Sequence, residues 1–540
     1  MSRLLLLVIL GLWLIEAQGS PRVGSGVGVA TYLGGYVLLV TAMAVWARVL
    51  ALRLWLNPHH GLAAFHRGTV VARTLIPAWM AVAMFAGLGW VDTVHGWLGP
   101  LDASHMRGPE QRFELILPGL LVGAMPALLA WMALWWAQYP VDRAAREMSL
   151  LQELDDGLPV HGPPDFRGYF WANFRLQLLF TLIPVLLILL FHDLVLGVLR
   201  LAWPTAPSGW LMLPAAGAVY LAAPQILRRV LDTEPLPQSP LRERLESICR
   251  LAGLKHRDIL LWRTHYSVGN AAVMGVLPRM RYILLSDLLL ESMDDQQIEA
   301  VFAHELGHVV HRHMLWYLVF FLILLLAAAG PGTAMEYWLH SMNFSPDQIA
   351  AISSLGMLAG VLALFGYISR NFERQADVFA ARMIQSDWGT VPATSPPLAG
   401  ANGSYVGQFG AAVFNSALRR VATVNNLPIK ARSWCHGSIA KRMQYLQDLS
   451  ADPALTRAFD KGMGRLYAAM VLAVVALGSW AVPTIIREVR LASRSGEISM
   501  LPSAAYCAGA AATSETSSTC TGISGGSRCS SLRWKLPLIR

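Results

Sequence analysis

Apolar segments long enough to cross a bilayer recur along most of the chain, and they constrain the fold more than any other feature. Eight of them lie near 29–47, 75–92, 114–137, 176–199, 209–227, 314–330, 349–368 and 466–486. Each approaches the roughly 20 residues that span the hydrocarbon of a membrane. Backbone polar groups in lipid must be satisfied within the segment, so such runs form helices. A ninth candidate is residues 1–19, where Arg3 precedes an apolar stretch and small residues. This start reads equally as a cleaved signal peptide or as a first membrane helix. Only 14% of residues are charged, against about 25% in soluble domains. The expected fold is mainly α, a multi-span helical membrane protein, with the lipid bilayer as its first partner.

The formal net charge is +9, but the arginines mostly flank apolar segments. They therefore report orientation in a membrane and argue against a nucleic-acid partner. Loop 48–74 carries Arg48, Arg53, Arg67 and Arg73, and loop 138–175 carries Arg143, Arg146, Arg167 and Arg175. Loop 93–113 offsets Arg107 and Arg112 with Asp92, Asp102 and Glu110, and loop 200–208 holds only Arg200. The positive-inside rule then places 228–313 and 369–465 on the cytoplasmic side. An inner (plasma) membrane location is expected. The five cysteines (Cys249, Cys435, Cys507, Cys520, Cys529) contain no C-x-x-C pair, and they outline neither a zinc cluster nor a disulfide framework.

The division that follows is a signal peptide or first helix at 1–19, a membrane-helix region at 20–231, and a largely polar domain at 232–465. That domain is interrupted by the spans 314–330 and 349–368. A last membrane helix at 466–486 and a low-complexity, disordered tail at 487–540 complete it. Within the polar domain, SPLRERLESICRLAGL has amphipathic spacing, with Ser239 as its cap. Three strand-like runs follow at 258–263, 270–276 and 281–286, the last two separated by a turn-like LPRM. SMDDQQIEAVFAHELGHVVHRH reads as a helix. Ser292 and Gln296 stand near capping-box spacing, and Asp294 and Asp295 suit its first turn. Residues 386–404 read as a mobile loop and 405–424 as a helix.

The chemistry lies in His304-Glu305-Leu306-Gly307-His308. Two histidines at i and i+4 share one helical face, so both imidazoles can reach one Zn²⁺. Glu305, on the adjacent edge of that face, is placed to act as a general base. A catalytic zinc keeps three protein ligands and one open position. The third ligand is expected from SRNFERQADVFAARM, where Glu373 and Asp377 are again i and i+4. Glu373 is assigned to the metal. Asp377 is assigned to the free ring N–H of a ligating histidine, which would fix its tautomer. His311 and His313 read as interfacial polar residues.

Together these stretches resemble the integral-membrane gluzincin proteases, the group of the type 1 CAAX prenyl proteases and the HtpX heat-shock proteases. The resemblance runs through Asn270-Ala271 with Gly275, SDLLLESM, AVFAHELGHVVHRH, SRNFERQAD and HGSIAKRMQYL, in the family's order, over about 228–446. It implies a zincin-like α+β metalloprotease domain with a small sheet and an active-site helix. It further implies one zinc per chain, endopeptidase activity on a peptide or membrane-protein substrate, and a site facing the cytoplasm. Asn270 and Ala271 would lie on an edge strand that pairs with the substrate backbone. His436 and Arg442 match the family's residues near the developing oxyanion. Gly437 stands where the family usually has Pro, which leaves that backbone less fixed. The expected function is a membrane-bound, zinc-dependent endopeptidase in membrane-protein turnover or processing.

Two rivals remain. A site-two-type protease buries H-E-x-x-H within the membrane, but here the motif is flanked by Asp294, Asp295, Glu299, Arg312 and His313, and no L-D-G stretch follows. A scaffold or transporter with a structural zinc would more often close its site with four ligands, frequently Cys. Oligomeric state is not legible.

Overall fold

The protein is described from a computed structural model covering residues 26–54, 58–85, 88–90, 93–94, 97, 116–155, 162–202, 209–384, 405–425, 427–431 and 433–494. The segments 1–19 and 386–404 and the tail beyond Arg494 lie outside these residues, while 487–494, which the sequence assigns to the tail, continue the last helix. Helices dominate. In the first half they are α1 (Gly26–Leu54), α2 (Pro58–Phe85), α3 (Ile116–Asp155), α4 (Phe166–Asn173), α5 (Phe180–Ala202) and α6 (Gly209–Val230). A π-helical turn, Phe174–Leu179, joins α4 to α5.

Six of the described helices are long and apolar enough to cross a membrane: Gly26–Leu54, Leu117–Met148, Phe166–Phe191, His313–Ser341, Leu355–Ile384 and Pro453–Pro483. The span expected near 209–227 lies on α6, and residues 75–85 of the one expected near 75–92 lie on α2; neither helix is among the six. Large apolar side chains face outward on the long helices, as at Leu38, Leu325, Leu472 and Val475. In water such a surface would drive aggregation, whereas in lipid it is the expected exterior. The interior of the first bundle packs Tyr32, Ile76, Trp131 and Trp135. Two of its indoles find partners inside the protein: Trp79 Nε1 donates to the Tyr32 carbonyl at 3.0 Å and Trp131 Nε1 to Gln177 Oε1 at 3.2 Å.

The polar domain opens with β1 (Thr233–Pro235), α7 (Pro240–Leu251), β2 (Asp258–Trp262), β3 (Ala271–Met274) and β4 (Tyr282–Ser286). The sheet order is β1-β2-β4-β3, with β2 parallel to β4 and the other two pairs antiparallel. Strand alternation sends Ile259, Ile283 and Leu285 into the main core, while Leu260, Trp262, Tyr282 and Leu284 pack beside Leu227 of α6 and Leu231 just after it. Both faces are therefore covered, and β3 is left as a sheet edge. Ser239 caps α7 as its sequence suggests, accepting from Arg242 N at 3.2 Å.

Next come α8 (Asp287–Ser292), the motif helix α9 (Asp295–Val310), α10 (His313–Ala327), α11 (Thr333–Ser341), α12 (Pro346–Ile384), α13 (Gln408–Val424), α14 (Ile439–Ala451) and α15 (Pro453–Arg494). The capping box of α9 is formed by Asp294 and Gln297, two residues beyond the expected Ser292. Met293 is extended and ends α8 first, so a Ser292 cap is sterically out of place. Arg312 adopts a left-handed φ of 55°, which turns the chain from α9 into the apolar α10. The expected span at 349–368 and the carboxylate segment after it form one helix of 39 residues. At 1.5 Å per residue it is about 58 Å long, roughly twice the hydrocarbon thickness. Its second half must therefore project from the membrane into the polar domain.

The loop before β3 is held unusually firmly. His265 and Tyr266 both take left-handed φ values of 53°, which are costly for non-glycine residues. Asp287 accepts from the Thr264 amide and hydroxyl and from Tyr266 N. Asn425 brackets Gly269, accepting from its amide at 3.0 Å and donating to its carbonyl at 2.7 Å. Arg146, from α3 of the first bundle, donates to the carbonyls of Tyr266 and Ser267 at 3.2 and 2.9 Å. Arg146→Ala is expected to speed amide hydrogen exchange across 264–270 while β4 stays protected, as read by mass spectrometry. An unchanged pattern would mean that Asp287 and Asn425 hold the loop alone.

Candidate active site

The site forms where α9 crosses α12, and Gly307 permits the crossing. A Cβ at Gly307 would sit 3.0 Å from the Ala376 Cα and 3.2 Å from the Phe379 ring. Without that side chain the two helices approach closely enough for His304 and His308 to face Glu373 and Asp377. The Nε2 atoms of His304 and His308 are 3.3 Å apart. Each lies 3.7 Å from a Glu373 carboxylate oxygen. One ligand atom from each of the three residues falls within a common 4.8 Å. Tetrahedral zinc with bonds of about 2.0–2.1 Å needs donor separations of about 3.3–3.5 Å. The donor set, two imidazoles and one carboxylate, is of the kind that binds catalytic zinc, so residues and spacing fit that metal.

His304 Nδ1 lies 2.9 Å from Asp377 Oδ1, although its N–H does not align for a regular hydrogen bond. Arg442 grips the same carboxylate through Nε at 2.8 Å and an η nitrogen at 2.5 Å, and its other η nitrogen is 3.5 Å from Glu373 Oε2. A bidentate guanidinium holds a carboxylate in one orientation. His304, Glu373 and Asp377 are buried, so these contacts are little screened by solvent.

Electrostatics divide the histidines. Burial opposes a charged His304 ring, but Asp377 outweighs it and the pKa stands above the usual value. Burial, reinforced by His304, pushes His308 down to about 3, so its ring is neutral near pH 7. Burial also pushes the Glu305 carboxyl up to about 7, against the pull of His304 and with the help of Glu373. A carboxyl poised there can both take up and release a proton near neutrality. Burial works against the Arg442 charge, yet Asp377 more than compensates and its pKa is raised.

His436 also reaches the site. Its Nδ1 is 2.8 Å from Glu373 Oε1, and its side chain remains 62% exposed. The turn that carries it is pinned by Trp434. The Trp434 carbonyl accepts from Arg370 at 3.0 Å, its Nε1 donates to the Leu362 carbonyl at 3.0 Å, and its ring stacks on Phe365. Gly437 takes φ 76°, and the Ser433 and Gly437 amides and carbonyls bond reciprocally at 3.1 and 3.0 Å. Proline can supply neither that φ nor the amide. The glycine therefore does not loosen this backbone but is what permits the turn. Asn270 is exposed just before β3, with its amide donating to Ser286 Oγ at 2.9 Å, and Ala271 is buried at the start of the edge strand. β3 packs against α9, so the edge runs beside the motif helix.

Sequence reasoning passed over several residues that shape the site. Asp287, Asn425 and Trp434 had no local signal, because their partners are distant in sequence. The sequence alone makes His313 an interfacial residue, and the structure corrects this. The residue is buried, and its Nδ1 is 2.9 Å from His308 Nδ1.

Two His and a Glu converging on one point, an adjacent acid and a neighbouring sheet edge make a candidate metallopeptidase site in an integral, multi-pass membrane protein. Residues 235–447 match the model of Peptidase family M48. The chain's relatives include the CAAX prenyl protease 1 homolog of Oryza sativa subsp. japonica, 25% identical over 226 residues, 40% of this chain and 48% of that protein. Another is Protease HtpX of Legionella pneumophila subsp. pneumophila, 29% identical over 175 residues, 31% of this chain and 61% of that protein. The chain thus spans about half the length of the curated relatives it matches. The crystal structure of S. mikatae Ste24p aligns with a TM-score of 0.40 at 16% identity, covering 76% of this chain and 98% of that one.

The Gly437 turn yields an ordered prediction. In Gly437→Ala the new Cβ would meet only the Arg370 side chain, at 3.9 Å, so its cost is the left-handed penalty of about 1–2 kcal/mol. Gly437→Pro also breaks the turn. Thermal unfolding in detergent should rank wild type above Ala and Ala above Pro. Equal stability of Pro and wild type would contradict the turn assignment.

Proposed function

We infer that the protein is a membrane-bound, zinc-dependent endopeptidase in which His304, His308 and Glu373 hold one zinc ion. The convergence of these three side chains within 4.8 Å, beside the half-buried Glu305, carries the inference. Zinc in this position supplies Lewis acidity toward water and toward a peptide carbonyl.

The chain's own residues do the rest. Glu305 takes a proton from the attacking water and passes it to the departing amine. Asp377 orients the His304 ring, and Arg442 holds Asp377 in place while contributing fixed positive charge. His436, exposed at the mouth, is the donor free to turn toward the developing oxyanion. The substrate enters as an extended segment along the open edge of β3, where Asn270 and Ala271 begin the strand. The arginine-rich loops support a site on the cytoplasmic face of an inner (plasma) membrane. Peptide segments of membrane proteins undergoing turnover or processing are the proposed substrates.

Protein purified in detergent provides the test, with zinc counted per chain and casein cleavage assayed for wild type, Glu305→Gln and Glu373→Ala. About one zinc is expected in wild type and in Glu305→Gln, and little in Glu373→Ala. Glu305→Gln should cleave about 10²–10⁴-fold more slowly than wild type, and Glu373→Ala should not cleave. Cleavage by Glu305→Gln at the wild-type rate would refute the base assignment, and full zinc in Glu373→Ala would move the third ligand elsewhere.

A further inference from the structure

One histidine is buried outside the ligand set yet touches it. His313 begins α10, just past the left-handed Arg312, and is 1% exposed. Its ring lies flat on Phe372, with centroids 4.2 Å apart and planes 2° from parallel. Its Nδ1 is 2.9 Å from His308 Nδ1, and its Nε2 is 2.9 Å from Gln375 Oε1. That same amide oxygen accepts the Tyr467 hydroxyl at 2.5 Å. The helices α9, α10, α12 and α15 thus contribute one residue each to a single polar chain: His308, His313, Gln375 and Tyr467.

The protons along this chain have one consistent order. An oxygen that already accepts from Tyr467 can only accept again, so His313 must carry its proton on Nε2. A neutral imidazole with Nε2–H has a bare Nδ1, which can only accept. His308 must then carry its proton on Nδ1 and leave Nε2 bare. That is the nitrogen facing His304 Nε2 and the Glu373 carboxylate. With the Gln375 amide reversed, each assignment inverts and the His308 Nε2 that faces the site is protonated.

We propose that His313, oriented by Gln375 and Tyr467, is a positioning residue that fixes His308 in the tautomer able to bind metal. The proposal rests on the zinc reading above and extends it to the ligand that Asp377 does not contact. It also ties the metal site to the membrane helix bearing Tyr467, because the acceptor that starts the ordering is shared with it.

Zinc affinity of the full-length protein in detergent, measured by competition with a chromogenic chelator, tests this without recourse to activity. His313→Phe keeps the ring on Phe372 but offers no acceptor, and should weaken zinc binding by about 10–100-fold. His313→Asn, whose amide oxygen can accept from His308, should recover much of that loss. Gln375→Glu, an acceptor at both oxygens, should bind as wild type, whereas Gln375→Leu should fall with His313→Phe. His311→Phe is the control. His311 sits in the same turn, stacks on His313 at 5.8 Å and contacts Phe379, and its replacement should leave affinity unchanged. Thermal unfolding of each metal-free variant identifies any that fail to fold, and the Gln375 pair then decides alone. Wild-type affinity in His313→Phe, or equal affinities in Gln375→Glu and Gln375→Leu, would overturn the proposal. Weak zinc binding by wild type itself would instead overturn the functional reading, and this inference with it.

Discussion

The close crossing of α9 and α12 at Gly307 and Ala376 is the contact on which the site depends. Helix axes ordinarily pack about 8–10 Å apart, depending on the side chains between them. Here a glycine meets an alanine, and the backbone of one helix nearly touches that of the other. Side chains as short as Glu373 and Asp377 can then reach His304 and His308 across the gap. A Cβ at 307 would require Ala376 and Phe379 to give by a few tenths of an ångström, and that shift falls directly behind the donor atoms.

Placing so many ionisable groups in a buried crossing is costly unless each is paired. The protein meets this with layers of partners. Asp377 stands between His304 and Arg442, Glu373 between the histidines and His436, and His308 between Glu373 and His313. Removing one member leaves a neighbour buried without compensation, so the groups behave as a unit. Such an arrangement favours a preorganised site over one assembled by the substrate.

The membrane architecture extends into this unit. α12 runs from its apolar half into the carboxylate pair without a break, and α9 passes through the turn at Arg312 into α10. The helices that cross the bilayer are therefore continuous with those that carry the chemistry. The first bundle also reaches the polar domain, since Arg146 ties α3 to the strained loop ahead of the edge strand. Membrane helices thus brace both the metal-facing residues and the proposed substrate edge.

What the sequence determined by itself rests on local periodicity. The apolar runs announced helices, short strand-like runs broken by a turn located β2, β3 and β4, and i, i+4 spacing put His304 with His308 and Glu373 with Asp377 on single faces. These readings needed no knowledge of distant residues, because helix and strand geometry acts over a few positions. The tertiary structure decided what depends on direction and approach. It placed the carboxylate face opposite the histidine face, and it turned His313 back onto His308 through one left-handed residue. It gave Gly437 a conformation no proline can adopt, and brought Asn425 and Asp287 onto a loop far from either in sequence. The partners in those contacts lie up to 156 residues apart, and no periodic pattern encodes a pairing at that range. Only the packed core sets the angle between two helices, and that angle selects which of several buried polar residues meet.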